Sequence, residues 1–308
     1  MKTQRILQCG VLLSVGCAIA GMGVPTAKAA SVLYVANGIN GTISEISPTG
    51  SVSTLVSNLA QPYGLAAGAN GSLLYVANSY TSGGVFNIDS ISAGGSVSTI
   101  TSISGQSSLQ PAALTVDNAG NLYVALMGGV IDKITTGGSV TQFANMGSGS
   151  EPDGLAFGPD GNLYVSNYGT STIDQIIGGT ASTFVTDSGG PGGLAFDSSG
   201  NLYVANGAGT VDKITSGGIA STFATISGEP NFLAFGSQGN LYVTLYTGNA
   251  VDKISPDGSV STFATGLDGP AGIVALPAPI PASFDLAGIG SLAMIGGLVL
   301  RRRMVKIH

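Results

Sequence analysis

The 308-residue chain has no tryptophan, one histidine and two cysteines, and only 8% of it is charged. Both cysteines, Cys9 and Cys17, lie near the N-terminus. The bulk of the chain therefore has no disulfide, no thiol nucleophile and no cysteine-ligated metal. The only histidine is the last residue, His308, so the body of the chain brings no imidazole to a general base, a catalytic triad or a zinc site. Without tryptophan, aromatic stacking falls to the ten tyrosines. Basic residues are scarce as well. Of ten Lys and Arg only Lys133, Lys213 and Lys253 lie between residues 31 and 276, whereas every acid except Asp285 does. That stretch has a formal charge of about −12, which opposes nucleic acid and suits a cation or a neutral polar molecule.

Glycine is plentiful, with 49 residues, and it punctuates a repeat. A phrase ending in an apolar residue, Tyr and Val places its tyrosine at Tyr34, Tyr75, Tyr123, Tyr164, Tyr203 and Tyr242, with successive spacings of 41, 48, 41, 39 and 39. A period near 40 residues is that of a closed or stacked repeat architecture. The fourth unit shows the grammar. Strand A is Gly154 to Phe157, the turn is Gly158-Pro159-Asp160-Gly161-Asn162, and strand B is Leu163 to Ser166. Strand C is Thr172 to Ile176, the turn is Gly178-Gly179, and strand D is Ala181 to Val185. Four short antiparallel strands per unit make one propeller blade. The first unit starts at strand B, and Pro270 to Ala275 is a strand A with nothing after it. The last strand should therefore complete the first blade and close the ring, which removes an open sheet edge. Pro62, Pro111, Pro152, Pro191, Pro230 and Pro270 count six blades. The expected fold is all-β, a six-bladed propeller over residues 30–276, acting as a monomer.

Both ends read as addresses. Lys2 and Arg5 precede an apolar run, and Ala27-Lys28-Ala29 is a small-x-small cleavage pattern, so residues 1–29 are a signal peptide with Ala29 at the cut. At the other end a Pro-rich linker (277–285) containing Pro279 and Pro281 leads to an apolar stretch (286–300) and a basic tail (301–308) that opens with Arg301, Arg302 and Arg303. Fifteen apolar residues are short for a stable span. This tripartite end resembles the PEP-CTERM sorting signals of bacteria, with Ile280 where that pattern carries Glu. The resemblance implies processing by an exosortase after signal peptidase and delivery to the cell surface or beyond, with the C-terminal helix in the membrane transiently; the alternative is an ordinary tail anchor that holds the propeller at the membrane permanently.

Within the repeats, Pro152-Asp153-Gly154-Leu155-Ala156-Phe157-Gly158-Pro159-Asp160-Gly161-Asn162-Leu163-Tyr164-Val165 resembles NHL-type repeats and the related streptogramin-lyase and gluconolactonase-like propellers. The shared residues are turn and core residues, so the resemblance speaks for the fold rather than an activity. It implies that the loops from strand D to A and from B to C crowd one rim, where ligands bind. Blade 2 is enlarged at both, with Thr101 to Gln110 before its successor's proline and a step of ten from Asn78 to Ile88. Candidate rim residues are Asn37, Asn78, Asn167 and Asn206 at the ends of strand B, Glu151, Asp153, Glu229 and Asn231 beside two prolines, and Tyr63, Tyr80 and Tyr168 as aromatic surfaces. Carboxylates and amide oxygens converging from several blades could hold Ca²⁺ or another divalent cation.

A second periodic signal is Asp89, Asp132, Asp174, Asp212 and Asp252 in strand C, broken only at Ser44. An acid repeated in five blades reads as structural, bonded to a neighbouring strand. Missing imidazole disfavours a streptogramin-type lyase, and no residue is marked as catalytic. The sequence is read as an extracellular binding module for a polysaccharide or a surface protein. The alternatives are a cation-dependent lactonase, with Asp153 or Glu151 as base, and a structural protein of the extracellular matrix.

Overall fold

A computed structural model describes residues 29–68, 71–81, 85–104, 110–187 and 189–278. Residues 1–28 of the expected signal peptide, Pro279, Pro281, the apolar stretch and Arg301 to Arg303 lie outside them. Among the described residues no helix is long and apolar enough to cross a membrane.

Among the described residues twenty-four strands follow one another. Blade 1 contains β1 (Ser31–Asn37), β2 (Thr42–Ile46) and β3 (Val52–Val56); blade 2 contains β4 (Pro62–Ala67), β5 (Leu73–Thr81), β6 (Val85–Ser92) and β7 (Val97–Ile103). Blade 3 is β8 (Pro111–Val116), β9 (Leu122–Leu126), β10 (Val130–Ile134) and β11 (Val140–Asn145). Blade 4 is β12 (Pro152–Phe157), β13 (Leu163–Asn167), β14 (Thr172–Ile177) and β15 (Thr180–Thr186). Blade 5 is β16 (Pro191–Phe196), β17 (Leu202–Asn206), β18 (Thr210–Ile214) and β19 (Ala220–Thr225). Blade 6 is β20 (Pro230–Phe235), β21 (Leu241–Leu245), β22 (Ala250–Ile254) and β23 (Val260–Thr265), and β24 (Pro270–Pro277) ends the series. Each blade is a four-stranded antiparallel sheet, and the first has the order β24-β1-β2-β3. Six blades and closure by the last strand are as the repeat predicts.

Strand B is buried on both faces because it lies at the centre of a blade held between two neighbours. All five residues of β9, β13, β17 and β21 are buried. Its tyrosine joins the blades. Tyr123 meets Phe143 of its own outer strand edge-on at 4.9 Å and Phe157 of the next inner strand at 5.2 Å. Tyr164 and Tyr203 repeat this with Phe184 and Phe196, and with Phe223 and Phe235. Edge-to-face pairs of this kind add about 0.5–1.5 kcal/mol each to the area they bury. The outer strand delivers its ring through a bulge. In blade 4, Ile173 pairs with Val185 and Asp174 with Thr183, leaving Phe184 as the extra residue, and every blade has a register shift at the same place.

Two strand-B hydroxyls stitch neighbouring blades. Ser166 Oγ accepts from Gly154 N at 2.8 Å and donates to Gly192 O of blade 5. Thr244 Oγ1 accepts from Phe232 N at 3.0 Å and donates to Ala271 O of the closing strand at 2.9 Å. Thr244→Val should therefore cost about 1–3 kcal/mol by leaving two buried backbone groups unpaired. A thermal melt lowered by a few degrees, with the circular dichroism spectrum unchanged, is the expected result.

Candidate functional site

The six inner strands surround the central channel, and each has one extra residue between its proline and its Leu or Ile. In blade 4 Pro152 pairs with Asn167 and Gly154 with Ser166, so Asp153 is the unpaired residue. Bulges of this kind re-aim a side chain beside a site. The residue after each proline is Tyr63, Ala112, Asp153, Gly192, Asn231 or Ala271 in blades 2, 3, 4, 5, 6 and 1. Polar or aromatic groups thus alternate with Ala or Gly round the ring. The small residues give the large ones room, since a Cβ at Gly192 would come within 3.3 Å of Asp153 Oδ2.

Tyr63, Asp153 and Asn231 line a cavity of about 690 Å³ at one mouth of the channel, together with Tyr168, Glu229 and Tyr246. Backbone bonds gather the loops on this face. Ser79 N donates to Gln61 O, Tyr168 N to Glu151 O and Gly207 N to Gly190 O, tying the start of each B-to-C loop to the residue before the same blade's proline. Asn231 Nδ2 approaches Tyr63 Oη at 3.5 Å, and the Tyr63 ring meets Phe232 edge-on at 5.7 Å. Asp153 keeps part of its surface open to the cavity, but its Oδ1 is buried and has no hydrogen-bond partner among the described residues. Burial pushes its carboxyl up to about 6. Burial, then the charge of Asp153, also raises the Tyr63 phenol.

The other predicted rim residues sit differently. Asn37, Asn78, Asn167 and Asn206 are buried, and their amides bond across to strand C. Asn37 Nδ2 donates to Ser44 Oγ at 2.8 Å, and Asn78, Asn167 and Asn206 donate to Asp89, Asp174 and Asp212 at 2.6, 3.0 and 3.0 Å. The two periodic signals of the sequence form one network inside the blade. Blades 3 and 6 have Leu126 and Leu245 in place of the Asn, and burial raises the carboxyl of Asp132 in blade 3. Glu151 is exposed on the rim in a left-handed conformation, φ 49°. Tyr168 is 55% exposed. The side chain of Tyr80 and residues 82–84 and 105–109, which include most of the enlarged part of both blade 2 loops, lie outside the described residues. Ala29 O accepts a hydrogen bond from Ser237 Oγ.

Tyr246 is a cavity residue that the sequence reading passed over. It follows the end of strand B in blade 6 as Tyr168 does in blade 4, and aligning the units by their final strand-B residue finds it. The divalent-cation expectation is not matched by this donor set. Among the described residues no three of His, Cys, Asp and Glu come together as a metal site, and one buried carboxylate falls short of the six to eight oxygens Ca²⁺ takes.

A six-bladed propeller with a polar funnel at one channel mouth is thus the class of protein. The chain belongs to the virginiamycin B lyase family, whose model matches residues 110–279. A second model, the SMP-30/gluconolactonase/LRE-like region, matches residues 18–167. Among solved structures, a catalytically inactive histidine-to-alanine variant of virginiamycin B lyase from Staphylococcus aureus, with quinupristin, is 18% identical. The match covers 80% of this chain and 89% of that one, with a TM-score of 0.60. A protein of unknown function from Bacteroides caccae is 17% identical over 80% of this chain and 99% of its own, TM-score 0.62. A gluconolactonase from Xanthomonas campestris is 21% identical over 69% and 78%, TM-score 0.57. At these identities the structures share the fold. No curated protein matches the sequence.

Proposed function

We propose that the protein is an exported, surface-displayed propeller that binds an extracellular polysaccharide in the funnel and performs no chemistry on it. One observation carries this reading: a cavity of about 690 Å³ has Tyr63, Asp153 and Asn231 among its walls, and no histidine among the described residues that line it. A cavity of that size suits a ligand of a few sugar-sized groups, whereas a folded protein partner needs roughly 800 Å² of matching surface. Its tyrosines offer flat apolar rings with a polar tip, which suits a sugar chain. The S. aureus lyase is inactive when one histidine becomes alanine, and this chain's single histidine is His308, outside the repeats. Family membership therefore supports the funnel without supporting lyase chemistry. Export rests on the signal-peptide pattern ending at Ala29 and on the Pro, apolar and Arg sequence of the other end. Signal peptidase and exosortase are the processing partners.

Glycan-array binding by the purified full chain, followed by calorimetry with Tyr63→Ala and Tyr168→Ala, tests the reading. At least one extracellular glycan should bind, and each substitution should weaken it roughly tenfold, about 1.4 kcal/mol, with the melting temperature unchanged in the variant of the exposed Tyr168. Absence of glycan binding, or binding indifferent to both substitutions, overturns the assignment. Calcium-dependent lactone hydrolysis or streptogramin ring opening that is lost in Asp153→Asn makes the protein an enzyme instead.

A further inference from the structure

The geometry points to a specific chemistry for the occupant: the funnel captures a protonated amine, seated over Asp153 among the rings of Tyr63, Tyr168 and Tyr246, as a free amino sugar would supply. This deepens the preceding reading and rests on it. The cavity walls contain two acids, Asp153 and Glu229, and no Lys, Arg or His. From the inner strands packed round Asp153, β4 presents Tyr63, β8 Ala112, β16 Gly192, β20 Asn231 and β24 Ala271. None of them is a cation. The remaining titratable groups of the funnel are Tyr168, Glu229 and Tyr246, and none of these supplies positive charge either. Among the described residues no cation faces Asp153, and a cationic ligand would supply the countercharge.

Hydrogen bonding points the same way. Asp153 Oδ1 is buried without a partner among the described residues, which makes the charge of this carboxylate costly to hold, and the open side of the same group is where a ligand can offset that cost. An ammonium group has donors and no acceptor, which complements the part of this carboxylate that is open to the cavity. An anion would meet two acids, and a neutral hydroxyl would leave the charge uncompensated.

The tyrosines complete the recognition. A Cβ on Gly190 would lie 3.0 Å from Tyr168 Cε2, and one on Gly269 would lie 3.3 Å from Tyr246 Cε2. Both glycines have positive φ, 72° and 61°, so neither carries a side chain that would crowd the neighbouring ring, and at Gly269 Ile39 packs in beside Tyr246. Aromatic faces attract cations, more strongly as water is excluded. Two carboxylates, Asp153 and the exposed Glu229, with three phenol rings suit an organic cation better than a hard metal ion, which demands six to eight oxygens.

Calorimetric titration of the purified full chain at pH 7.5 with butylammonium and with neutral 1-pentanol tests the charge preference directly. Triglucosamine and its fully N-acetylated counterpart repeat the comparison on a sugar. The charged member of each pair should bind at least roughly tenfold tighter, and Asp153→Asn should erase that preference. With a carboxyl near 6, lowering the pH from 7.5 to 5 should weaken butylammonium binding by about tenfold in the wild type and not in Asp153→Asn. Glu229→Gln should keep the pH step. If neutral members bind as well as charged ones and Tyr168→Ala still weakens glycan binding, the amine assignment falls while the polysaccharide reading stands. If no glycan and no amine binds, both fall. Calcium chloride binding tighter than butylammonium, and lost in Asp153→Asn, would overturn the proposal in favour of a metal site.

Discussion

A chain truncated after Gly269 should show no cooperative thermal transition, whereas one truncated after Ala278 should melt cooperatively. The difference is β24 alone. That strand pairs with β1 from Pro277 opposite Ser31 to Pro270 opposite Asn37, and it buries Ala271 and Ile273, 0% and 5% exposed. It also closes the channel wall between β20 and β4. A Cβ on Gly272 would meet Tyr63 O at 2.4 Å, so the closing strand lies nearly against its neighbour's backbone. Burial of one Ile contributes roughly 1.5–3 kcal/mol, and each ladder hydrogen bond about 1 kcal/mol. Losing the strand removes several such terms at once, exposes the edge of β1 and opens the ring. Those losses are comparable with the whole net stability of a domain, about 5–15 kcal/mol.

A circular permutant separates closure from composition. Ala278 N donates to Ala30 O at 2.7 Å, so a short turn can join residue 278 to residue 30, with new ends between Asp268 and Gly269. Blade 1 is then continuous and the permutant should melt like the form ending at Ala278. Cooperative melting of the chain ending at Gly269, within a few degrees of the longer form, would show that closure is not what holds the ring.

Architecture was legible because its signals are local. Turn residues at fixed offsets, the apolar-Tyr-Val phrase and the strand-A prolines each mark one strand, and a strand B without a strand A at one end answers a strand A without a strand B at the other. The site was harder to read because its determinants lie in register. Asp153 stood out beside Pro152, but what aims it into the channel is a bulge, and one unpaired residue among apolar and glycine neighbours leaves no sequence mark. Asn167 and Asp174 read as separate signals because they lie on different strands. In the sheet, Val165 is opposite Asp174 and Asn167 opposite Thr172, which puts the two polar side chains diagonally on one face and inside the blade. Their co-occurrence was obscured where Leu126 and Leu245 replace the amide and the acid remains. Tyr246 carries no such mark in the sequence for the same reason, since blade 6 ends its strand B in Leu245 where other blades have Asn.

Asp153→Asn should raise the melting temperature at pH 7.5 while abolishing amine selectivity. Burial raises the carboxyl from 3.8 to about 6, so the folded state binds this proton more tightly than the unfolded chain. Above pH 6 the folded protein therefore carries a charge that the unfolded chain holds at lower cost. Two pH units at 1.36 kcal/mol each make that cost about 3 kcal/mol. It is present in full above the folded value, shrinks as the pH falls through 6, and is gone below about 4, where both states are protonated. Asparagine is neutral throughout and similar in shape, and the open side of the cavity lets water reach its amide. For a domain of this size the gain corresponds to roughly 5–10 °C at pH 7.5, with melting curves that converge near pH 4. Equal melting at pH 7.5 would mean that water in the funnel already satisfies the carboxylate, and the case for a cationic occupant would lose its energetic basis. A rise that an added amine ligand reproduces in the wild type, but not in Asp153→Asn, would tie both effects to one charge: the ligand then relieves in the native protein what the substitution removes from it.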